Sequence, residues 1–220
     1  MENPEVRLTA DGSKTLYLPH LDETYHSSHG AIQEAVHVYI EHGLTYVSQQ
    51  TESITVFEMG FGTGLNALLT ALWAQKHQRM INYIGIEYHP IEEDIWCQME
   101  FVQVESEITL YAKIMSSEWG KFQEINPFFQ LKKIEQTVHD LDINEKVNLI
   151  YFDAFGPKVQ VEMWELPVLT KMYDMLIHGG VFVTYCAQGQ MKRHLKSLGF
   201  CLEEPPGPPG KRVMTRAIKN

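Results

Sequence analysis

Apolar runs and helical patterns alternate along the chain. Ile54-Thr55-Val56-Phe57 is a β-branched run that reads as a buried strand, and Leu65 to Ala74 repeats apolar residues at helical spacing. Tyr83-Ile84-Gly85-Ile86 predicts a second strand, stopped before Pro90, and Val147-Asn148-Leu149-Ile150-Tyr151-Phe152 a third. A helix is predicted around Met163–Leu176, with His178-Gly179-Gly180 as its C-cap signal. Val181 to Tyr185 then reads as a strand and Gln188–Leu198 as a helix. This alternation needs crossover connections, hence a mostly parallel sheet covered on both faces. Gly199-Phe200-Cys201-Leu202 and Arg212 to Ala217, separated by Pro205-Pro206-Gly207-Pro208-Pro209-Gly210, read as a terminal antiparallel pair. Residues 91–130 fit no simple βα unit, and a helical insertion is expected there.

Composition narrows the class. With 220 residues and 44% hydrophobic content the chain suits one α/β domain over 1–220. No stretch of about 18 apolar residues occurs, and the start Met1-Glu2-Asn3-Pro4-Glu5 is acidic, so a soluble, cytoplasmic protein without a signal peptide is expected. Cys97, Cys186 and Cys201 form no CxxC pair. His26 and His29 have helical spacing, but no Cys/His/Asp cluster completes a ligand set, so no metal is expected. The net charge of −10 argues against broad nucleic-acid binding, which needs many cations to displace counterions. Yet residues 191–220 hold seven Lys/Arg against two acids, a local +5, leaving −15 for the other 190 residues. Such a face can hold a small piece of RNA, or can be a solvated rim.

Glu58-Met59-Gly60-Phe61-Gly62-Thr63-Gly64-Leu65-Asn66 sits between a predicted strand and helix. Glycines at alternate positions let backbone approach a ligand that any Cβ would obstruct. A dinucleotide fingerprint begun at Gly60 needs Gly or Ala where Leu65 stands, and a phosphate-binding loop needs Lys-Ser/Thr where Asn66 follows Leu65. Both phosphate readings fail. The acidic residue followed by three glycines is similar instead to the first motif of S-adenosylmethionine-dependent methyltransferases, where Glu58 and the loop would receive the cationic methionine end. Glu87 closes the second strand, placed to accept from ribose hydroxyls. The alternative is a tight turn with Glu87 as a surface carboxylate.

Tyr151-Phe152-Asp153-Ala154-Phe155-Gly156-Pro157 lies at the carboxyl end of the third strand, the edge where open α/β sheets bind ligands. Asp153 leaves an apolar run, and burial raises the cost of its charge unless a cation such as a substrate ammonium pairs with it. N-methylation of an amine needs a free lone pair, so a carboxylate that orients the amine and takes its proton is apt. Phe155 and Pro157 could wall the pocket. The alternative for Asp153 is a turn cap before Pro157, and for Ser27 or Ser28 an N-cap of a helix from about Ala31.

Taken together, these segments resemble the MnmC-like methyltransferases, in particular the stand-alone MnmD type, over nearly the whole chain. The resemblance rests on Asp22–Gly30 with Glu34; on Phe57–Asn66; on Tyr151–Pro157 with Gln160, Glu162, Met163 and Trp164; and on Val183–Ala187 through Pro205–Arg212. It implies a Rossmann-like class I fold with a seven-stranded sheet and terminal antiparallel hairpin, residues 1–50 acting as a lid segment. It also implies transfer of the S-adenosyl-L-methionine methyl group to the amine of 5-aminomethyl-2-thiouridine at the tRNA wobble position. By position Asp153 resembles the acceptor-site aspartate; Tyr25, Glu58, Gly60, Gly62, Gly64, Asn66 and Glu87 the cofactor contacts; Phe155, Pro157, Lys211 and Arg212 the groups near the anticodon stem-loop. Longer relatives carry a fused oxidase, for which 220 residues leave no room, so upstream amine-forming enzymes would act first. Val161 and Val213 depart from the family pattern, and the adenine contact is unassigned, with Thr137 near its place and Glu135 or Asp140 as substitutes. Two other readings are a methyltransferase of this fold acting on another amine, in a small molecule or protein, and a non-catalytic cofactor-binding protein.

Overall fold

A computed structural model describes residues 4–142 and 145–220; Met1, Glu2 and Asn3 of the acidic start lie outside the described residues. The chain opens with a small antiparallel sheet of β1 (Glu5–Leu8), β2 (Lys14–Leu18) and β3 (Glu23–Thr24), which the sequence pattern had not revealed. A helical segment follows in three parts: α1 (Ala31–Ala35), a π-helical stretch Val36–Thr45, and α2 (Tyr46–Ser48). Neither Ser27 nor Ser28 caps it. Its first amides are met from the small sheet instead, Ala31 N donating to Ser13 Oγ (3.1 Å) and Gln33 N to Asp11 Oδ2 (3.2 Å).

The main sheet is built on β4 (Ile54–Met59), followed by helix α3 (Leu65–His77) and β5 (Ile81–Glu87). Helices α4 (Glu93–Trp96) and α5 (Glu105–Ser116) lead to β6 (Gln123–Asn126) and β7 (Phe129–Glu135), and β8 is Val147–Phe152. A 3-10 turn at Val161–Trp164 precedes α6 (Leu166–Met175), then come β9 (Leu176–Thr184), α7 (Gly189–Ser197), β10 (Phe200–Glu203) and β11 (Thr215–Lys219). The order across the sheet is β10-β11-β9-β8-β4-β5-β7-β6. Five central strands are parallel, β6 and β11 run against them, and β10, paired antiparallel with β11, runs with them again.

The Rossmann-like α/β fold and terminal hairpin are as expected, with two corrections. Among the described residues the main sheet has eight strands rather than seven, because residues 91–130 are only partly helical. Gln123-Glu124-Ile125-Asn126 is an edge strand with a single buried side chain, Ile125, and so carries almost no apolar pattern to read. The second correction concerns His178-Gly179-Gly180, which does not cap a helix. Helix α6 ends at Met175, and β9 pairs Leu176 with Val147 and Val181 with Leu149, so the residues between bulge from the ladder with Gly179 at φ +75°.

The central strands read as unbroken apolar runs because helices cover both faces. On one face α3, α5 and the 31–48 helical segment pack on Val56, Tyr83, Leu149 and Val183; on the other α6 and α7 pack on Phe57, Ile84, Ile150 and Phe182. Each fully buried Phe or Ile contributes about 2–3 kcal/mol of transfer free energy. The strand order reverses between β4 and its neighbours β5 and β8. That places a crevice at their carboxyl ends, where the glycine loop, Glu87 and Asp153 all emerge.

Candidate active site

A cavity of roughly 310 Å³ occupies this crevice. Tyr25, Glu58, Gly60, Gly62, Asn66, Glu87, Asp153 and Phe155 all line it, as the sequence reading requires. Gly60 turns with φ +86°, and a Cβ there would stand 2.9 Å from the Asp153 carbonyl oxygen; a Cβ on Gly62 would stand 3.1 Å from the Tyr25 ring. The glycines therefore let the loop pass between the β8 end and the N-terminal segment. Gly64 behaves differently. It does not line the cavity but starts α3 in the left-handed region (φ +71°), packed against Met115 and Phe61.

Glu58 is 1% exposed beneath the loop. Its Oε1 accepts from Asn66 Nδ2 (2.9 Å), while Oε2 has no partner among the described residues. Burial pushes its carboxyl well above the ordinary range, opposed by Asn66 and by Tyr83, whose hydroxyl faces it from β5 yet is itself unpartnered. A buried acid with a free oxygen is stabilised by an arriving cation. Glu87 is held by three backbone amides, Gly62 N on Oε2 (3.0 Å) and Tyr88 N and His89 N on Oε1 (2.9 Å each). Its Oε2, with one amide on it, keeps a lone pair for a further hydroxyl. Beside it the wall is Gln136, Thr137, Val138 and His139; Thr137 donates to Asp140 (2.6 Å), and neither Asp140 nor Glu135 reaches the cavity.

Asp153 is half-buried, with Oδ1 accepting from the Tyr39 hydroxyl (2.6 Å) and Oδ2 from Asn66 Nδ2 (2.8 Å). Burial raises its carboxyl to about 6, the Tyr39 and Asn66 hydrogen bonds opposing the shift. Asn66 thus joins Glu58 to Asp153, coupling the two ends of the cavity through one amide. The Phe155 backbone is clamped by Gln160 Oε1 (3.2 Å) and Trp164 Nε1 (2.8 Å), and its ring meets Tyr25 edge to face at 5.1 Å. Sequence reasoning had missed Tyr39 and the Asn66 bridge.

Pro157, Lys211 and Arg212 lie outside the cavity. Lys211 points inward: its Nζ pairs with Glu34 (2.5 Å) and lies 3.9 Å from the Tyr185 ring centroid, and the Tyr185 hydroxyl bonds Ala154 O. Other C-terminal cations are also spent internally. Lys192 pairs with Glu204, Arg216 with Glu203, and Lys219 donates to Tyr173 O and Leu176 O. Arg212 is exposed, its side chain without a hydrogen-bond or ion-pair partner among the described residues. The basic face of the last 30 residues is therefore narrower than its composition.

The switch-point crevice, the glycine loop and the acids at the strand ends come together on a Rossmann-like α/β fold. Residues 114–220 match the sequence model of a family described as S-adenosyl-L-methionine-dependent methyltransferase. The chain is 28% identical over 214 residues to the Burkholderia multivorans "tRNA 5-methylaminomethyl-2-thiouridine biosynthesis bifunctional protein MnmC", covering 91% of this chain and 33% of that one. With the protein of the same name from Cupriavidus metallidurans it shares 28% over 232 residues, 99% of this chain and 34% of the relative. The chain thus spans about a third of the length of these relatives. Among solved structures MnmC2 from Aquifex aeolicus superposes with a TM-score of 0.79 at 24% identity, over 99% of this chain and 70% of that one. DesVI from Streptomyces venezuelae follows the same fold at TM-score 0.54 and 9% identity. The residues present fit the cofactor: the cradle has no room for a Cβ at Gly60, and the unpartnered Glu58 Oε2 suits its cationic end. Among the described residues there is no group of acids, His and Cys that could hold a metal, and no helix is long and apolar enough to cross a membrane.

Proposed function

We propose that the protein N-methylates the 5-aminomethyl group of 5-aminomethyl-2-thiouridine at the tRNA wobble position, giving 5-methylaminomethyl-2-thiouridine. One observation carries the reading. Asp153 opens on the same cavity as the glycine cradle and Glu58, in a chain that aligns over 91–99% of its length with proteins named for this nucleoside. When bound, S-adenosyl-L-methionine supplies a methyl group on a sulfonium, which a neutral amine takes with release of a thioether. Glu58 and the loop from Gly60 to Gly62 would hold the cationic end, and Glu87 the ribose. Asp153, ionised at neutral pH, attracts the ammonium, accepts its proton and aligns the freed lone pair, so that positioning supplies much of the rate. The Tyr25 and Phe155 rings offer faces for an unstacked base, the form in which anticodon bases are read. Enzymes acting earlier on the same uridine would supply the amine.

The test is methyl transfer from labelled cofactor to bulk tRNA that accumulates the 5-aminomethyl intermediate, with nucleoside analysis. Label in 5-methylaminomethyl-2-thiouridine supports the reading; cofactor binding with no labelled nucleoside overturns it in favour of another amine acceptor.

The two adjacent cations should separate in function. Arg212→Ala is expected to raise KM for tRNA several-fold with kcat kept, and to flatten the salt dependence of binding by about one unit of slope. Lys211→Ala leaves Glu34 uncompensated beside Asp153, so kcat falls instead. Equal effects on KM from both variants would put Lys211 on the RNA rather than in the wall.

A further inference from the structure

Tyr39 reaches the site from an unusual element. The stretch Val36–Thr45 is π-helical over ten residues, whereas π-turns are mostly single and cluster at functional sites. Widening the helix there seats Tyr39 against the sheet, 1% exposed, its ring 5.1 Å from that of Tyr151. Gly43, four residues on, makes the close approach feasible, since a Cβ would stand 3.1 Å from Val183 and 3.3 Å from Tyr151. Burial, and next the neighbouring Asp153, push the Tyr39 phenol well up, so its hydroxyl keeps its proton and can only donate to the carboxylate.

Asp153 is faced by groups of both signs. Tyr39 and Glu34 come from the 31–48 segment, Asn66 from α3, Glu58 from β4, Tyr185 follows β9, and Lys211 comes from the loop before β11. Of these, Tyr39 and Asn66 touch its oxygens. Asn66 is shared with Glu58, which leaves Tyr39 as the donor committed to Asp153 alone.

We propose that Tyr39 is a positioning residue whose hydroxyl fixes the Asp153 carboxylate and keeps it ionised, thereby setting the lower pH limit of methyl transfer. This rests on Asp153 acting at the acceptor amine. A hydrogen bond to the charged form favours that form, so losing it moves the carboxyl upward.

The test is Tyr39→Phe, which keeps the ring and its packing. Carboxyl-carbon NMR of the unliganded protein, with Asp153→Asn to assign the signal, reads the Asp153 midpoint without any substrate. It is expected to rise from about 6 by about one pH unit. The acid limb of kcat/KM should move with it, a loss of about fivefold at pH 6 shrinking to almost none at pH 8. Site-specific 3-fluorotyrosine at position 39, a stronger donor, should move the midpoint the opposite way and guards against a folding defect in the first variant. An unmoved midpoint, or a loss of activity equal at all pH values, would overturn the proposal. A shifted midpoint in a protein that methylates no RNA would sustain the Tyr39–Asp153 coupling while removing the wobble-uridine reading.

Discussion

Asp153→Asn is expected to lower kcat for methyl transfer by about two to four orders of magnitude, the usual contribution of a proton-accepting side chain. Cofactor affinity should stay within a few-fold, because the Asn66 bond to Glu58 and the backbone amides on Glu87 remain when the Asp153 charge is removed. The replacement can keep its shape. An amide oxygen turned to Asn66 Nδ2 still accepts, and the amide nitrogen can donate to the Tyr39 hydroxyl, which also accepts. Stability should move the other way. Burial holds the Asp153 carboxyl at about 6 in the folded protein, above its ordinary 3.8. Its contribution is therefore fully present below about pH 4 and is lost as pH rises through 6. The Asn variant has no such loss and should melt above the parent at pH 8, the two converging towards pH 4. Thermal unfolding across that range, beside single-turnover transfer and calorimetric cofactor binding, checks all three. Unchanged turnover would remove Asp153 from the chemistry, and a collapse of cofactor binding would mean that it serves the wrong end of the cavity.

The parts of this site that were legible in the sequence are those carried by local strand-loop-helix grammar. Glu58 and Gly60 follow a β-branched run, Glu87 ends the next strand, and Asp153 leaves a third. All three strands are sheet neighbours, so their carboxyl ends must converge. What local pattern cannot carry is contact across the chain. Tyr39 lies 114 positions from Asp153, on a helix whose π-winding changes which face it presents, so a 3.6-residue reading puts it among ordinary core residues. Lys211 shows the same limit: the resemblance set it near the anticodon, and its pairing with Glu34, 177 positions away, is not written in any local pattern. The small sheet of β1 and β2 was missed because its outer strand is short and mostly exposed. The edge strand β6 shares that weakness, for tertiary pairing rather than apolar alternation makes it a strand.

The glycine loop yields the other large effect. Gly60→Ala is expected to weaken S-adenosyl-L-methionine binding by about 100-fold or more, with unfolding free energy reduced by about 1–3 kcal/mol. Two costs are superposed. At φ +86° any L-residue is strained, and the new Cβ would meet the Asp153 carbonyl oxygen at 2.9 Å. That oxygen cannot swing aside cheaply, because the Asp153 amide is tied to Met59 O across the sheet (3.0 Å). Gly120 separates the costs. It adopts nearly the same angle, φ +88°, with nothing within 4 Å of the position a Cβ would take. Gly120→Ala therefore reports backbone strain alone, and should cost about 1 kcal/mol of stability without touching cofactor affinity. The excess in Gly60→Ala measures how tightly the loop must pass the β8 end. Because the obstructing atom belongs to Asp153 itself, relieving the clash displaces the Asp153 carboxylate as well, so residual turnover at saturating cofactor should also fall. Isothermal titration and thermal unfolding of both variants decide the matter: equal stability losses and wild-type cofactor affinity at position 60 would show that the loop has slack and that the cradle is not shaped by close approach.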